Sequence, residues 1–147
     1  MTKYNIRETK KEPARYTTLV NSATMEKMKD QIYTIVVKQK KYRDKNYSAR
    51  QLARDLMTNT RYVSAVINVK FGMNYANFVN KYRVRDAVEI LQDPKCVDLR
   101  MQDISDMVGF ANRQSFYAAF FRVMQVPPRE FRVDVMTKAA LQEEPQP

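Results

Sequence analysis

The 147-residue sequence has no histidine, no tryptophan, one cysteine and two glycines. Each shortage removes a class of chemistry. Without histidine, and with Cys96 as the lone thiol, the usual zinc ligand sets and the common nucleophile–base pairs cannot be assembled. No metal site and no cofactor is expected, and Cys96, with no imidazole to activate it, reads as inert. It has no partner for an intramolecular disulfide, which fits a reducing, cytoplasmic setting. Neither G-x-x-x-x-G-K-[ST] nor G-x-G-x-x-G occurs, so no glycine loop is present to cradle a nucleotide. Apolar runs stay well short of the roughly 20 residues a membrane span needs. The opening Met1 to Pro13 is polar and charged, unlike a signal peptide. Acidic pairs such as Asp103 with Asp106 fall on expected helix surfaces, where solvation and compensation of the helix dipole account for them. An enzyme is not expected. The scarcity of glycine also means few tight turns, and points to an all-helical fold.

What the chain does have is positive charge. Net charge is +10, with 26 Lys/Arg against 16 Asp/Glu. Residues 1–47 hold 12 Lys/Arg against 5 Asp/Glu, and residues 48–147 hold 14 against 11. Such a balance favours polyanionic partners, although solubility alone also accounts for it.

The most informative stretch is Met101 to Arg132. Met101, Ile104, Met107 and Val108 keep helical spacing. Gly109 follows, where a helix end needs a residue tolerant of positive φ. Asn112 is a good N-cap for a second helix, whose inner face is Phe116, Ala119, Phe120 and Val123. Arg113, Gln114, Tyr117 and Ala118 point elsewhere. Pro127 and Pro128 stop that helix and seed another, which packs Phe131 and Val135 beneath the unit. Helix, glycine turn and polar-capped helix is the plan of a helix-turn-helix.

A similar unit lies upstream, from Ser48 to Gly72. Ser48 and Gln51 have capping-box spacing, and Asn59 caps the second helix. Leu52 matches Ile104 and Leu56 matches Val108 at an offset of 52, while Asn59, Val63 and Ile67 match Asn112, Phe116 and Phe120 at an offset of 53. The extra residue falls in the turn, and one core pattern occurring twice suggests duplicated architecture.

The expected fold is all-α: two helix-turn-helix subdomains joined by a long linker helix, about seven helices in total. Residues 1–22 read as a basic flexible arm. Residues 23–46 carry a lead-in helix from Thr24 to about Lys41, with Met25, Met28, Ile32, Ile35, Val36 and Gln39 inward; it is the candidate dimerisation element. Lys38, Lys40, Lys41, Arg43 and Lys45 crowd its end, where cations complement the dipole. Residues 47–93 form the first subdomain together with linker helix 75–92, which Asn74 caps and Asp93-Pro94 ends. On that helix Phe78, Val79, Tyr82, Ala87, Ile90 and Leu91 are apolar, and Lys81, Arg83, Arg85, Asp86 and Glu89 polar. Residues 94–136 form the second subdomain, and 137–147 read as a flexible tail.

These residues resemble the DNA-binding region of the arabinose-regulator family, the AraC/XylS-type transcription factors. The second unit carries most of the likeness, in D-I-S-D-M-V-G-F, N-R-Q-S-F-Y-A-A-F and V-P-P-R-E-F-R. The first adds Y-V-S-A-V-I-N-V-K-F-G-M-N and F-V-N-K-Y-R-V-R-D-A-V-E-I-L. Coverage runs from about Tyr47 to Arg132. The resemblance implies a bacterial transcription regulator bound to double-stranded DNA, with the second helix of each unit in a major groove. Successive groove faces lie about 34 Å apart. Helix 75–92 would span about 27 Å at about 1.5 Å per residue.

Carried over by position, the resemblance implies base reading by Thr60, Arg61, Ser64, Ala65 and Asn68 in the first unit, and by Arg113, Gln114, Tyr117 and Ala118 in the second. Arg suits guanine O6/N7, Gln suits adenine N6/N7, and Ala can touch a thymine methyl. Asn59, Asn112, Lys70 and Arg122 are the implied phosphate contacts. The sequence departs from the family where Ala65 and Ala118 replace frequent arginines. Asn68 and Val69 stand where lysines are common, Phe121 replaces a usual lysine, and Met57 replaces the usual turn glycine. The implied reading surface is less basic than typical. A second reading therefore stays open: a helix-turn-helix-like module whose partner is a protein, such as RNA polymerase or another regulator. RNA binding lacks the aromatic sheet or basic single-strand groove it would need.

Overall fold

The computed structural model describes residues 22–142. They form seven α-helices: α1 Ser22–Tyr33, α2 Ala49–Asp55, α3 Thr60–Phe71, α4 Tyr75–Gln92, α5 Met101–Val108, α6 Arg113–Met124 and α7 Pro128–Gln142. No strand occurs among the described residues. The basic arm expected at residues 1–22 lies, Ser22 excepted, outside the described residues. The chain divides into two compact units, the first holding residues 22–41 and 47–78 of the described range, the second 42–46 and 79–142.

In the first unit, α1 buries Met25 and Ile32, α2 buries Leu52 and Ala53, and α3 buries Tyr62, Val63, Val66 and Ile67. The lead-in helix differs from expectation at its end. It is already helical at Ser22, the first described residue, and its α-helical part stops at Tyr33; a π-helical turn Thr34–Lys38 follows. The π-helical turn falls on the T-I-V-V run, whose β-branched side chains are weaker helix formers. Val36 remains buried, Gln39 is exposed rather than inward, and Lys40 turns the chain through φ 59°.

Tyr47 anchors the start of the helix-turn-helix. Its hydroxyl donates to Asp55 Oδ2 at 2.6 Å, and its carbonyl accepts from the Tyr75 hydroxyl at 2.9 Å. Ser48 Oγ accepts the Gln51 amide at 3.2 Å. Helix α2 closes in a Schellman arrangement: the Thr58 amide donates to the Ala53 carbonyl and the Met57 amide to that of Arg54. Met57 takes the left-handed position at φ 56°. Leu56, expected on the inner face, is only half-buried.

The second unit has its core in Ile104 and Val108 of α5, Phe116, Ala119 and Phe120 of α6, and Phe110 between them, closed by Val84, Ala87 and Leu91 of α4. The sequence reading assigns all of helix 75–92 to the first subdomain; these three α4 side chains instead lie in the second unit's core. Phe116 meets Phe120 edge-on at 5.8 Å, and Phe120 meets Phe131 of α7 at 5.7 Å, geometries that aromatic quadrupoles favour. Val123, expected on the inner face of α6, is 45% exposed, and Met107, which shares the helical spacing of Met101 and Ile104, is 50% exposed. Helix α7 continues to Gln142, so residues 137–142, expected in a flexible tail, are helical.

The segment after the lead-in helix belongs to this second unit. Tyr42 is buried, and its hydroxyl donates to Asp86 Oδ2 at 2.7 Å, beside Arg43 Nε at 2.8 Å from the same oxygen. Arg83 Nε donates to the Tyr42 carbonyl at 2.6 Å. Arg83 and Asp86, expected on the polar side of the helix, are thus half-buried and grip the Tyr42–Arg43 turn. Burial, reinforced by Asp86, pushes the Tyr42 phenol up to about 12. Gly109 is fitted against the same turn: it has φ 107°, and a Cβ there would lie 2.5 Å from the Tyr42 carbonyl oxygen and 2.7 Å from Arg43 backbone atoms.

Candidate nucleic-acid interface

In each unit the second helix is fixed on one face and open on the other. On α3, Val63, Val66 and Ile67 are buried while Thr60, Arg61, Ser64 and Asn68 are exposed and Ala65 is partly exposed. On α6, Phe116, Ala119 and Phe120 are buried while Arg113, Gln114 and Ala118 are exposed and Tyr117 is half-buried. Burying those inner side chains stabilises each helix position by about 1.5–3 kcal/mol per large residue. The outer side chains are therefore carried on an anchored backbone.

Both helices start on an asparagine. Asn59 Oδ1 accepts the Tyr62 amide at 2.8 Å, and Asn112 Oδ1 accepts the Ser115 amide at 2.8 Å. Each cap satisfies one of the free first-turn amides, and the side-chain amide nitrogen retains its own donors. The turn before α6 is tied further by Ser105, which is fully buried and donates Oγ–H to the Asn112 carbonyl at 3.2 Å.

The outer faces differ in detail. On α3, Lys70 is engaged within its own unit: its Nζ lies 2.8 Å from Glu26 Oε2, while Lys29 Nζ lies 2.6 Å from Glu26 Oε1. Hydrogen bonds from Lys29 and then Lys70 lower the Glu26 carboxyl to about 2. On α6, Arg113, Gln114 and Tyr117 line a shallow cavity of about 330 Å³ together with Arg129 of α7. Arg129 Nε donates to the Tyr117 hydroxyl at 3.0 Å. Reading the sequence misses Arg129, because it lies twelve residues beyond Tyr117, across a helix break, where no periodicity pairs them. Phe121 is 52% exposed, beside the exposed Arg122.

Among the described residues no helix is long and apolar enough to cross a membrane, and no group of three or more His, Cys, Asp or Glu could hold a metal ion. Cys96 is half-buried with Sγ 3.7 Å from Asp93 Oδ2, and burial raises its pKa.

Two helix-turn-helix units carried on one chain define the class of the protein, the double helix-turn-helix domain. A family model described as "Helix-turn-helix domain" matches residues 52–133, more than half of the chain, and the chain belongs to this family, the AraC-type helix-turn-helix regulators. A relative in Bacillus subtilis, the uncharacterized HTH-type transcriptional regulator YtdP, is 26% identical over 82 residues, which are 56% of this chain and 10% of that protein. The chain therefore spans about a tenth of that relative's length. Among solved structures, the C-terminal domain of the two-component response regulator yesN from Fusobacterium nucleatum is similar, with TM-score 0.63 and 23% identity over 71% of this chain and 96% of that one. The C-terminal domain of AraT, a response regulator from Geobacillus stearothermophilus, gives 0.61 and 23% over 75% and 84%. An AraC-type transcriptional regulator from Chromobacterium violaceum gives 0.60 and 16% over 78% and 96%. At these identities the structures establish a shared fold.

Proposed function

We propose that the protein is a sequence-specific transcription regulator that binds double-stranded DNA with α3 and α6, each in its own segment of major groove. The observation that carries this reading is the repeated outer face. Arg61, Ser64 and Asn68 on α3, and Arg113, Gln114 and Ala118 on α6, are exposed on helices whose opposite faces are buried. An α-helix fits a B-DNA major groove, and these side chains match what base edges offer: Arg to guanine, Gln and Asn to adenine, Ala to the thymine methyl. Thr60, Ala65 and Tyr117 complete the two reading faces. Asn59 and Asn112 stand at helix N-termini, where amide donors and the helix dipole suit phosphate. Arg122 is a further phosphate contact. Lys70 contributes less, because its ammonium is already paired with Glu26, a carboxylate it shares with Lys29. Net charge of +10 supports the same reading, since phosphate neutralisation releases counterions.

Selection from random duplexes with the purified protein tests the proposal. Recovery of one enriched motif, with affinity that falls steeply as salt rises, supports it. No enrichment, or affinity indifferent to salt, contradicts it.

One observation favours the protein-partner alternative. Phe121 and Val69 are 52% and 53% exposed on the two second helices, at positions where a DNA-facing helix gains more from a cation. On that reading RNA polymerase or another regulator is captured without DNA, and Phe121→Glu abolishes capture.

A further inference from the structure

The duplex-binding reading gives α6 four reading residues, all on one helix. The structure assigns a fifth member from a different helix: we propose that Arg129 of α7 clamps a DNA phosphate with its terminal nitrogens while its Nε fixes the Tyr117 hydroxyl for base reading. The inference rests on the proposed DNA binding and extends it.

One hydrogen bond joins the two helices here. Arg129 Nε is 3.0 Å from Tyr117 Oη and can only donate. The phenol oxygen therefore accepts, and its own proton is left to donate outward. A free phenol at this position would rotate between donor and acceptor roles. Held by Arg129, it presents a donor, which selects base-edge acceptors such as guanine O6/N7 or thymine O4 over the exocyclic amines of adenine and cytosine. Tyr117 is half-buried, with its ring edge-on to buried Phe116 at 5.8 Å. The ring is thus fixed by packing and the hydroxyl by the guanidinium.

The second observation is the cavity. Arg113, Gln114, Tyr117 and Arg129 surround one hollow of about 330 Å³, large enough for a phosphate group and open to solvent. A guanidinium that gives Nε to Tyr117 still has both terminal nitrogens, the pair that forms a fork onto two phosphate oxygens. Arg129 also borders a neighbouring hollow with Glu130, Val133 and Asp134. The carboxylates there repel an anion, so the phosphate is accepted on the Arg113 side. Pro128 sets this geometry: it is buried at the first position of α7, which fixes where the next residue leaves the helix.

The test uses a duplex selected by the full chain and measures affinity against salt and against single-base substitutions, for Arg129→Ala, Arg129→Lys, Tyr117→Phe and Arg113→Ala. Arg129 is exposed, and thermal melting of each variant checks the fold. Arg129→Ala is expected to weaken binding roughly ten-fold or more and to reduce the slope of log affinity against log salt by about one phosphate. Arg129→Lys is expected to restore the slope but not the preference at the base read by Tyr117, because an ammonium cannot both clamp and position. Tyr117→Phe is expected to relax that same base while leaving the slope unchanged. If Arg129→Ala binds with wild-type slope and preference while Arg113→Ala weakens binding, the clamp is wrong and the DNA reading stands. If the wild-type chain enriches no duplex, the clamp fails together with the reading beneath it.

Discussion

A Cβ added to Gly109 would lie 2.5 Å from the carbonyl oxygen of Tyr42, across a sequence separation that no local pattern bridges. The glycine is required twice, by its φ of 107° and by the backbone pressed against it. Gly72 ends α3 at φ 72° with nothing within 4 Å of the position a Cβ would take. The pair separates conformational strain from collision. Gly72→Ala is expected to cost roughly 1–2 kcal/mol, the left-handed penalty alone. Gly109→Ala adds an overpacking cost of about 1–3 kcal/mol. Urea unfolding of both variants measures the difference, and equal losses would show that the Tyr42–Arg43 turn yields freely.

Met57 occupies the turn position that corresponds to Gly109, at φ 56° and 94% exposed. It buries almost nothing there, so a smaller residue loses no packing. Removing its Cβ relieves roughly 1–2 kcal/mol of left-handed strain, against an entropic cost for glycine of roughly 0.5–1 kcal/mol. Met57→Gly is therefore expected to raise stability by about 0.5–1 kcal/mol, seen as a higher urea midpoint at unchanged slope. A lower midpoint would mean that Met57 makes a contact outside its own turn.

The Glu26 carboxylate sits between Lys29 and Lys70, and its pKa falls from 4.5 to about 2. A depressed folded-state value means the ionised form is favoured by folding. The stabilisation is present above about pH 4.5, declines as pH falls, and is gone once pH passes below about 2. The melting temperature should drop over that window in the wild type and less steeply in Glu26→Gln. The substitution also releases Lys70, so it should strengthen binding to a selected duplex and steepen its salt dependence. Identical acid profiles in both proteins would remove Glu26 from the account.

Asp86 accepts from both the Tyr42 hydroxyl and Arg43. Asp86→Ala leaves a buried phenol without its acceptor and should cost roughly 1–3 kcal/mol. The Tyr42 pKa is raised to about 12, mainly by burial and then by Asp86, so its protonated form is favoured by folding. That contribution is intact below about pH 10 and lost as pH rises through about 12. Alkaline titration of phenol absorbance in wild type and Tyr42→Phe checks it: the phenol that titrates near 12 should vanish in the variant, while that of Tyr47, which burial and Asp55 also push up, stays late in both.

What the sequence made legible was local. Asn59 and Asn112 cap their helices through contacts three residues long, and the paired core positions Leu52/Ile104, Val63/Phe116 and Ile67/Phe120 are all buried. Helical periodicity and caps are written within one or two turns, so a sequence displays them directly. What escaped was either long-range or decided by neighbours. The Arg43–Asp86 and Tyr42–Asp86 contacts span more than forty residues, and charged residues on a helix give no sign that a distant turn will cover them. Val123 has the spacing of the α6 inner face, but its neighbour Met124 packs against the core instead and leaves Val123 45% exposed. Lys70 has the composition of a phosphate contact, and only the position of Glu26 shows it engaged. The outer face of α6 was legible as polar, while Arg129 needed the packing of α7 to bring it beside Tyr117.

The central claim is that α3 and α6 each read their own stretch of one duplex. Hydroxyl-radical and dimethyl-sulfate footprints on a selected duplex test it with wild type, Arg61→Ala and Arg113→Ala. The account predicts two protected major-groove segments about 10 base pairs apart in the wild type. Each arginine variant should lose base protection in one segment only, at a cost of roughly 1–3 kcal/mol in affinity. Footprints unchanged by both substitutions, or a single segment lost equally to either, would contradict it.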